Sequence, residues 1–136
     1  MPLARISLLK GKSSTHLQSI SDAVHHALVH AFEAPPDDRF QVIHQHEPHE
    51  LIYDRHYQGG PRTQNWILVC ITAGRPRTRD AKLAFYSTLV EQLGRAADIG
   101  PEDVMVVIKT TQPDEWSFGG GRILLPPAEH VDKASS

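Results

Sequence analysis

One cysteine, Cys70, stands in a chain of 136 residues, so no internal disulfide can form. Such a chain keeps its shape by packing and fits a reducing compartment. Surplus charge is also absent: 14 Lys and Arg face 16 Asp and Glu, a net of −2 with histidines neutral. That removes the bulk attraction that nucleic acid or an acidic membrane would need, so neither is an expected partner. No apolar run reaches the roughly 20 residues that cross a bilayer, and the N-terminus has no apolar signal core. These absences predict a soluble, cytoplasmic protein. With 40% hydrophobic residues, the length suits one domain, 1–136, with a core of its own.

What is present is a repeated pattern. Leu3 to Leu9 is a short apolar stretch that fits a strand. Gly11 to Ser14 turns the chain and ends in capping residues. From Thr15 to Glu33, Leu17, Ile20, Val24, Leu28, Ala31 and Phe32 fall on one helical face, and Pro35-Pro36 stops the helix. FQVIHQH, Phe40 to His46, alternates as a strand does. After a loop over 47–64, WILVCITA (Trp66 to Ala73) reads as a strand buried on both faces. Thr78 can cap a second helix reaching about Arg95, with Ala81, Ala84, Phe85, Leu89 and Leu93 facing inward. VMVVIKT, Val104 to Thr110, is the last strand, and a polar tail ends the chain.

The fold class is therefore α/β (α+β): two tandem β-α-β units, 2–46 and 65–110, followed by a C-terminal segment, 111–136. Each crossover helix joins parallel strands with right-handed topology. Two units can share a four-stranded sheet with both helices on one face. The other face is then bare, and the layer rule predicts that further copies of the chain cover it.

Five stretches could carry chemistry. Pro2 follows Met1, and methionine before a small residue is usually clipped, which would leave Pro2 as an N-terminal secondary amine. Such an amine is a nucleophile with a tunable pKa. GRPRT, Gly74 to Thr78, sets Arg75 and Arg77 at a helix N-terminus, where cations are disfavoured unless an anion joins them. Guanidinium forks grip carboxylates bidentately; the plainer reading is solvated turn arginines, paired with Asp80 or Glu91. PPDDR puts Asp37 and Asp38 between helix and strand, for proton positioning or for ordinary turn chemistry. HQHEPHE offers His44, His46, His49 and Glu50, but no closed four-ligand set, and no metal is expected. WSFGGGR, Trp116 to Arg122, suits an apolar pocket wall or the anchor of a terminal hairpin.

Taken together and in order, the MPL start, the two β-α-β units, PPDDR, RPR and DEWSFG resemble the tautomerase superfamily, and most of all its malonate semialdehyde decarboxylase branch. The likeness runs from Pro2 to about Arg122; beyond it, ILLPPAEH departs from that branch. The resemblance implies a homotrimer that needs no cofactor and acts on a small carboxylate substrate. It makes Pro2 the catalytic amine and Asp38 the catalytic carboxylate. Arg75 and Arg77 become carboxylate binders, and Trp116 and Phe118 the hydrophobic wall. The expected reaction is decarboxylation of a 3-oxo acid, malonate semialdehyde to acetaldehyde and CO2. Two alternatives stay open: a tautomerase, hydratase or dehalogenase acting on 2-oxo or unsaturated three-carbon acids, and a non-enzymatic trimeric binding protein. For dehalogenation the nearest glutamate is Glu115, whose register looks wrong.

Overall fold

A computed structural model describes residues 2–124. The polar tail, and most of the ILLPPAEH stretch, lie outside the described residues. The chain runs β1 (Pro2–Leu9), α1 (Ser14–Phe32), β2 (Phe40–His46), β3 (Ile67–Ala73), α2 (Arg79–Ala97) and β4 (Val104–Thr110). Single 3-10 turns lie at Pro48–Glu50, Pro101–Asp103 and Pro113–Glu115. The strands form one sheet in the order β2-β1-β3-β4. Pairing is parallel within each β-α-β unit and antiparallel between β1 and β3, where the units meet.

Local chemistry sets the helix limits. Ser13 caps α1 by accepting from the His16 N–H at 3.1 Å, and Thr78 caps α2 by accepting from Ala81 at 3.1 Å. Both helices end on a residue in the left-handed region, Glu33 (φ 57°) and Asp98 (φ 54°). Their N–H groups reach back to the carbonyls of Leu28 and Leu93. These non-glycine stops carry no glycine signal, and α2 runs on to Ala97 rather than ending at Arg95.

Both helices lie on one sheet face. Ala4, Ile6 and Leu8 of β1, and Ile67, Val69 and Ile71 of β3, pack against Ile20, Val24 and Leu28 of α1 and Phe85, Leu89 and Leu93 of α2. Phe32 and Phe85 stack at 5.0 Å between the helices. Ala84, assigned inward by its spacing, is exposed.

Among the described residues, the opposite face is open. β3 departs from the expected two-sided burial: Ile67, Val69, Ile71 and Ala73 are buried, while Leu68, Cys70 and Thr72 are half-buried. Around them Val42 (40% exposed), Met105 (45%) and Val107 (41%) show apolar side chains to solvent. No helix among the described residues is long and apolar enough to cross a membrane.

Phe85 is wholly buried and joins both helices to the sheet. Phe85→Ala is expected to lower stability by about 3–5 kcal/mol, read by urea denaturation, because the space it leaves cannot collapse.

Candidate active site

The antiparallel join gathers the residues of interest. The starts of β1 and β2 and the finishes of β3 and β4 lie at one end of the sheet. Pro2 opens β1 opposite Ala73, which immediately precedes the Gly74-Arg75-Pro76-Arg77 turn. Leu3 lies opposite Phe40, two residues after Asp38. Thr111 follows β4, and its N–H donates to the Ala73 carbonyl at 2.9 Å. Pro2 is buried on the helix side of the sheet.

Arg75 and Arg77 line one small cavity of about 230 Å³, with Phe32, Glu33 and Thr78. Arg75 is exposed and Arg77 half-buried. Neither guanidinium bonds to Asp80 or Glu91: Glu91 pairs with Arg95 at 2.7 Å, and Arg77 donates to two backbone carbonyls. It donates to the Arg75 carbonyl at 2.8 Å and to the Phe32 carbonyl at 3.1 Å, with its guanidinium 5.0 Å from the Phe32 ring centroid. Arg77 thereby closes the carbonyl end of α1, where a cation is favoured. Its Nε is buried without a partner in the structure. Burial, and then the like charge of Arg75, push its pKa below the ordinary guanidinium value; Glu33 acts in the opposite sense.

Trp116 and Phe118 line a different cavity, of about 420 Å³, on the open side of the sheet end. Leu3, Phe40, Thr72, Thr111, Glu115 and Ser117 complete it. Past β4 the chain crosses the sheet end toward β2. Trp116 and Phe118 stack 5.6 Å apart and 17° off parallel, and Phe118 meets Phe40 at 5.5 Å. The Trp116 indole N–H donates to Thr111 Oγ1 at 2.6 Å. Gly120 (φ 66°) and Gly121 (φ 71°) turn the chain back in the left-handed region. Leu124 N–H then donates to the Trp116 carbonyl, so wall and hairpin anchor are one feature. Glu115 caps the preceding turn by accepting the Gln112 N–H at 2.6 Å.

The loop bearing Asp38 is clamped by α1. His25, buried, donates from Nε2 to the Pro36 carbonyl at 2.7 Å. Arg39 pairs with Asp22 at 2.7 Å, and Gln41 exchanges hydrogen bonds with Ser21. The Arg39 bond, then that of Gln18, hold the Asp22 carboxyl below its usual range. Asp38 is half-buried and its N–H donates to the Pro35 carbonyl at 2.9 Å; Asp37 is exposed.

So the described structure brings the arginines together and the aromatics together, in two cavities on opposite sides of one sheet end. Pro2 and Asp38 belong to the strand starts at that same end. His44 and His46 stack on the open face at 6.4 Å, and Arg5 donates to His44 at 3.2 Å. Glu50 accepts the Glu47 N–H. Among the described residues, no three His, Cys, Asp or Glu side chains form a metal-holding group.

Reading the sequence missed three residues. Phe40 was read only as a strand start, and Thr111 only as the first residue of the C-terminal segment. His25 carried a signal: it sits four residues after Ser21 and three before Leu28, on the buried stripe.

Two families, each described as tautomerase enzyme, match this chain, one over residues 38–119 and one over residues 2–56. Probable tautomerase YusQ of Bacillus subtilis strain 168 is 34% identical over 122 residues, covering 90% of this chain and 96% of the relative. Among solved structures, malonate semialdehyde decarboxylase, whose study concerns decarboxylase and hydratase activities, has 33% identity and a TM-score of 0.84. That match covers 97% of this chain and 98% of the other. A fused 4-OT symmetric trimer matches in fold alone, with 16% identity and a TM-score of 0.73, covering 89% of this chain and 94% of that one.

His25→Leu strands the Pro36 carbonyl without its donor. It is expected to cost about 1–3 kcal/mol of stability, measured by urea denaturation.

Proposed function

The chain belongs to the tautomerase family, and on that premise we propose that it is a cofactor-free decarboxylase of a small 3-oxo acid. The substrate in this reading is malonate semialdehyde, and the working group is the Pro2 nitrogen once Met1 has been removed. One observation carries the reading: Pro2, the Asp38 turn, both arginines and the aromatic wall all belong to segments that meet at one end of the sheet. The likeness to malonate semialdehyde decarboxylase over nearly the whole chain supports it.

The chemistry follows from where charge moves. Cleavage of the carboxyl C–C bond releases CO2 and sends an electron pair into the aldehyde carbonyl, giving an enolate. The enolate carbon then takes one proton and becomes the methyl group of acetaldehyde. The barrier lies in the developing enolate oxygen. Protonated Pro2 donates a hydrogen bond there, and the negative charge of Asp38 favours that protonated state. Arg75 and Arg77 hold the carboxylate so that the breaking bond lies along the carbonyl π-system. Their grip must orient without favouring the ground state, because the carboxylate loses its charge as it leaves. Trp116 and Phe118 favour neutral CO2 and exclude water.

A second reading, tautomerisation of a 2-oxo acid with neutral Pro2 as base, is favoured by the name of the Bacillus relative, a probable tautomerase. The two readings differ in the protonation of one nitrogen.

The open sheet face supports assembly as a homotrimer. Its exposed Val42, Met105 and Val107 form the kind of apolar surface that marks a subunit interface.

Acetaldehyde release from malonate semialdehyde tests the activity. Pro2→Ala is expected to lower the rate by about 10²–10⁴-fold; an unchanged rate sinks the amine mechanism. Sedimentation equilibrium is expected to give the mass of three chains. The double substitution Met105→Glu with Val107→Glu is expected to reduce it to one chain, and a single-chain mass before substitution contradicts the trimer.

A further inference from the structure

We propose that Thr111 is the positioning residue of this site: it locks the Trp116 indole to the end of β3, beside the strand partner of Pro2, and so fixes the wall against which the substrate lies. The proposal rests on the reading of the aromatic cavity as part of the active site.

The hydrogen bonds run in one direction only. An indole N–H can only donate, so Thr111 Oγ1 accepts it, at 2.6 Å. The hydroxyl has a single proton of its own, and that proton goes to the Ala73 carbonyl at 3.0 Å. The Thr111 backbone N–H reaches the same carbonyl at 2.9 Å. Both lone pairs of Ala73 are thereby used. Ala73 pairs with Pro2 across the sheet and leads directly into buried Gly74 and then Arg75. One threonine thus connects the aromatic wall to the strand end shared by the amine and the arginine turn.

Burial alone does not fix the ring. Trp116 is half-buried, and its stacking partner Phe118 is 47% exposed. Without the relay, both rings can swing over the sheet end. Threonine suits the task because its branched Cβ restricts χ1 and keeps the hydroxyl aimed. Valine has the same shape and makes neither side-chain bond; serine keeps both bonds.

The test compares Thr111→Val, Thr111→Ser, Trp116→Phe and the double variant Thr111→Val/Trp116→Phe. The first readout is the indole N–H signal of Trp116 by proton–nitrogen NMR, identified against Trp66→Phe, since the chain has 2 tryptophans. In Thr111→Val that proton should move upfield and exchange faster with water; in Thr111→Ser it should stay. The second readout is kcat and KM for malonate semialdehyde. One lost hydrogen bond predicts a fall of about five- to tenfold in kcat/KM for Thr111→Val, carried in kcat, with serine near wild type. The double variant should be no slower than Trp116→Phe alone, because the two residues act through one bond. An unmoved indole proton in Thr111→Val overturns the proposal. So does a moved proton with unchanged kcat/KM, or a serine variant as slow as valine. If the wild-type chain releases no acetaldehyde, the decarboxylase reading fails, and the indole proton alone decides whether Thr111 locks the wall.

Discussion

The antiparallel pairing of β1 with β3 is the constraint on which the rest depends. Each β-α-β unit is parallel within itself, so its two strands start together and finish together. Joining the units head to tail puts the starts of one against the finishes of the other. Loops that precede strands and loops that follow them then share one rim. A parallel join would have sent the Asp38 turn and the arginine turn to opposite ends. The register of Pro2 with Ala73 therefore decides which loops share the rim as well as how the sheet packs.

The rim divides two environments, and the proposed chemistry uses both. On the helix side, Arg77 is half-buried, tied to two carbonyls and set over a phenyl ring, while Arg75 stays exposed. On the open side, Trp116, Phe118 and Phe40 make an apolar wall. In the proposed reading, the arginines that would bind the anion and the apolar surface that would favour a neutral product stand on opposite sides of the sheet end at which β1 begins. Rigidity comes from cheap local devices: a histidine on a carbonyl, a threonine under an indole and two left-handed helix stops. Each is a short-range bond that holds a loop against a regular element.

Much of this was legible in the sequence, for physical reasons. Helical spacing, one alternating stretch and short apolar runs marked all six main elements, because each buries a face against the same core. The motif residues were legible through their resemblance to a family and through the cost of two arginines at a helix N-terminus. The rest depends on three-dimensional neighbours. WILVCITA reads as doubly buried, yet among the described residues one side of β3 is left half-buried. Asp98 stops α2 in a conformation usually marked by glycine, so that stop was silent, whereas Pro35-Pro36 announced the end of α1. Phe40 looks like an ordinary strand residue and Thr111 like the start of a loop; their roles come from the segment that crosses the sheet end after β4. The separation of arginines and aromatics into two cavities has no linear signature at all.

The central claim is that Pro2 acts as a protonated amine. It is tested most directly by a nitrogen-15 NMR titration of Pro2 in protein whose mass shows the loss of Met1. The account predicts a pKa above the ordinary α-amino range of about 7.7–8.0, with the cation dominant at neutral pH. A pKa well below that range would contradict it and assign the nitrogen to base chemistry, while a mass that retains Met1 would remove the amine altogether.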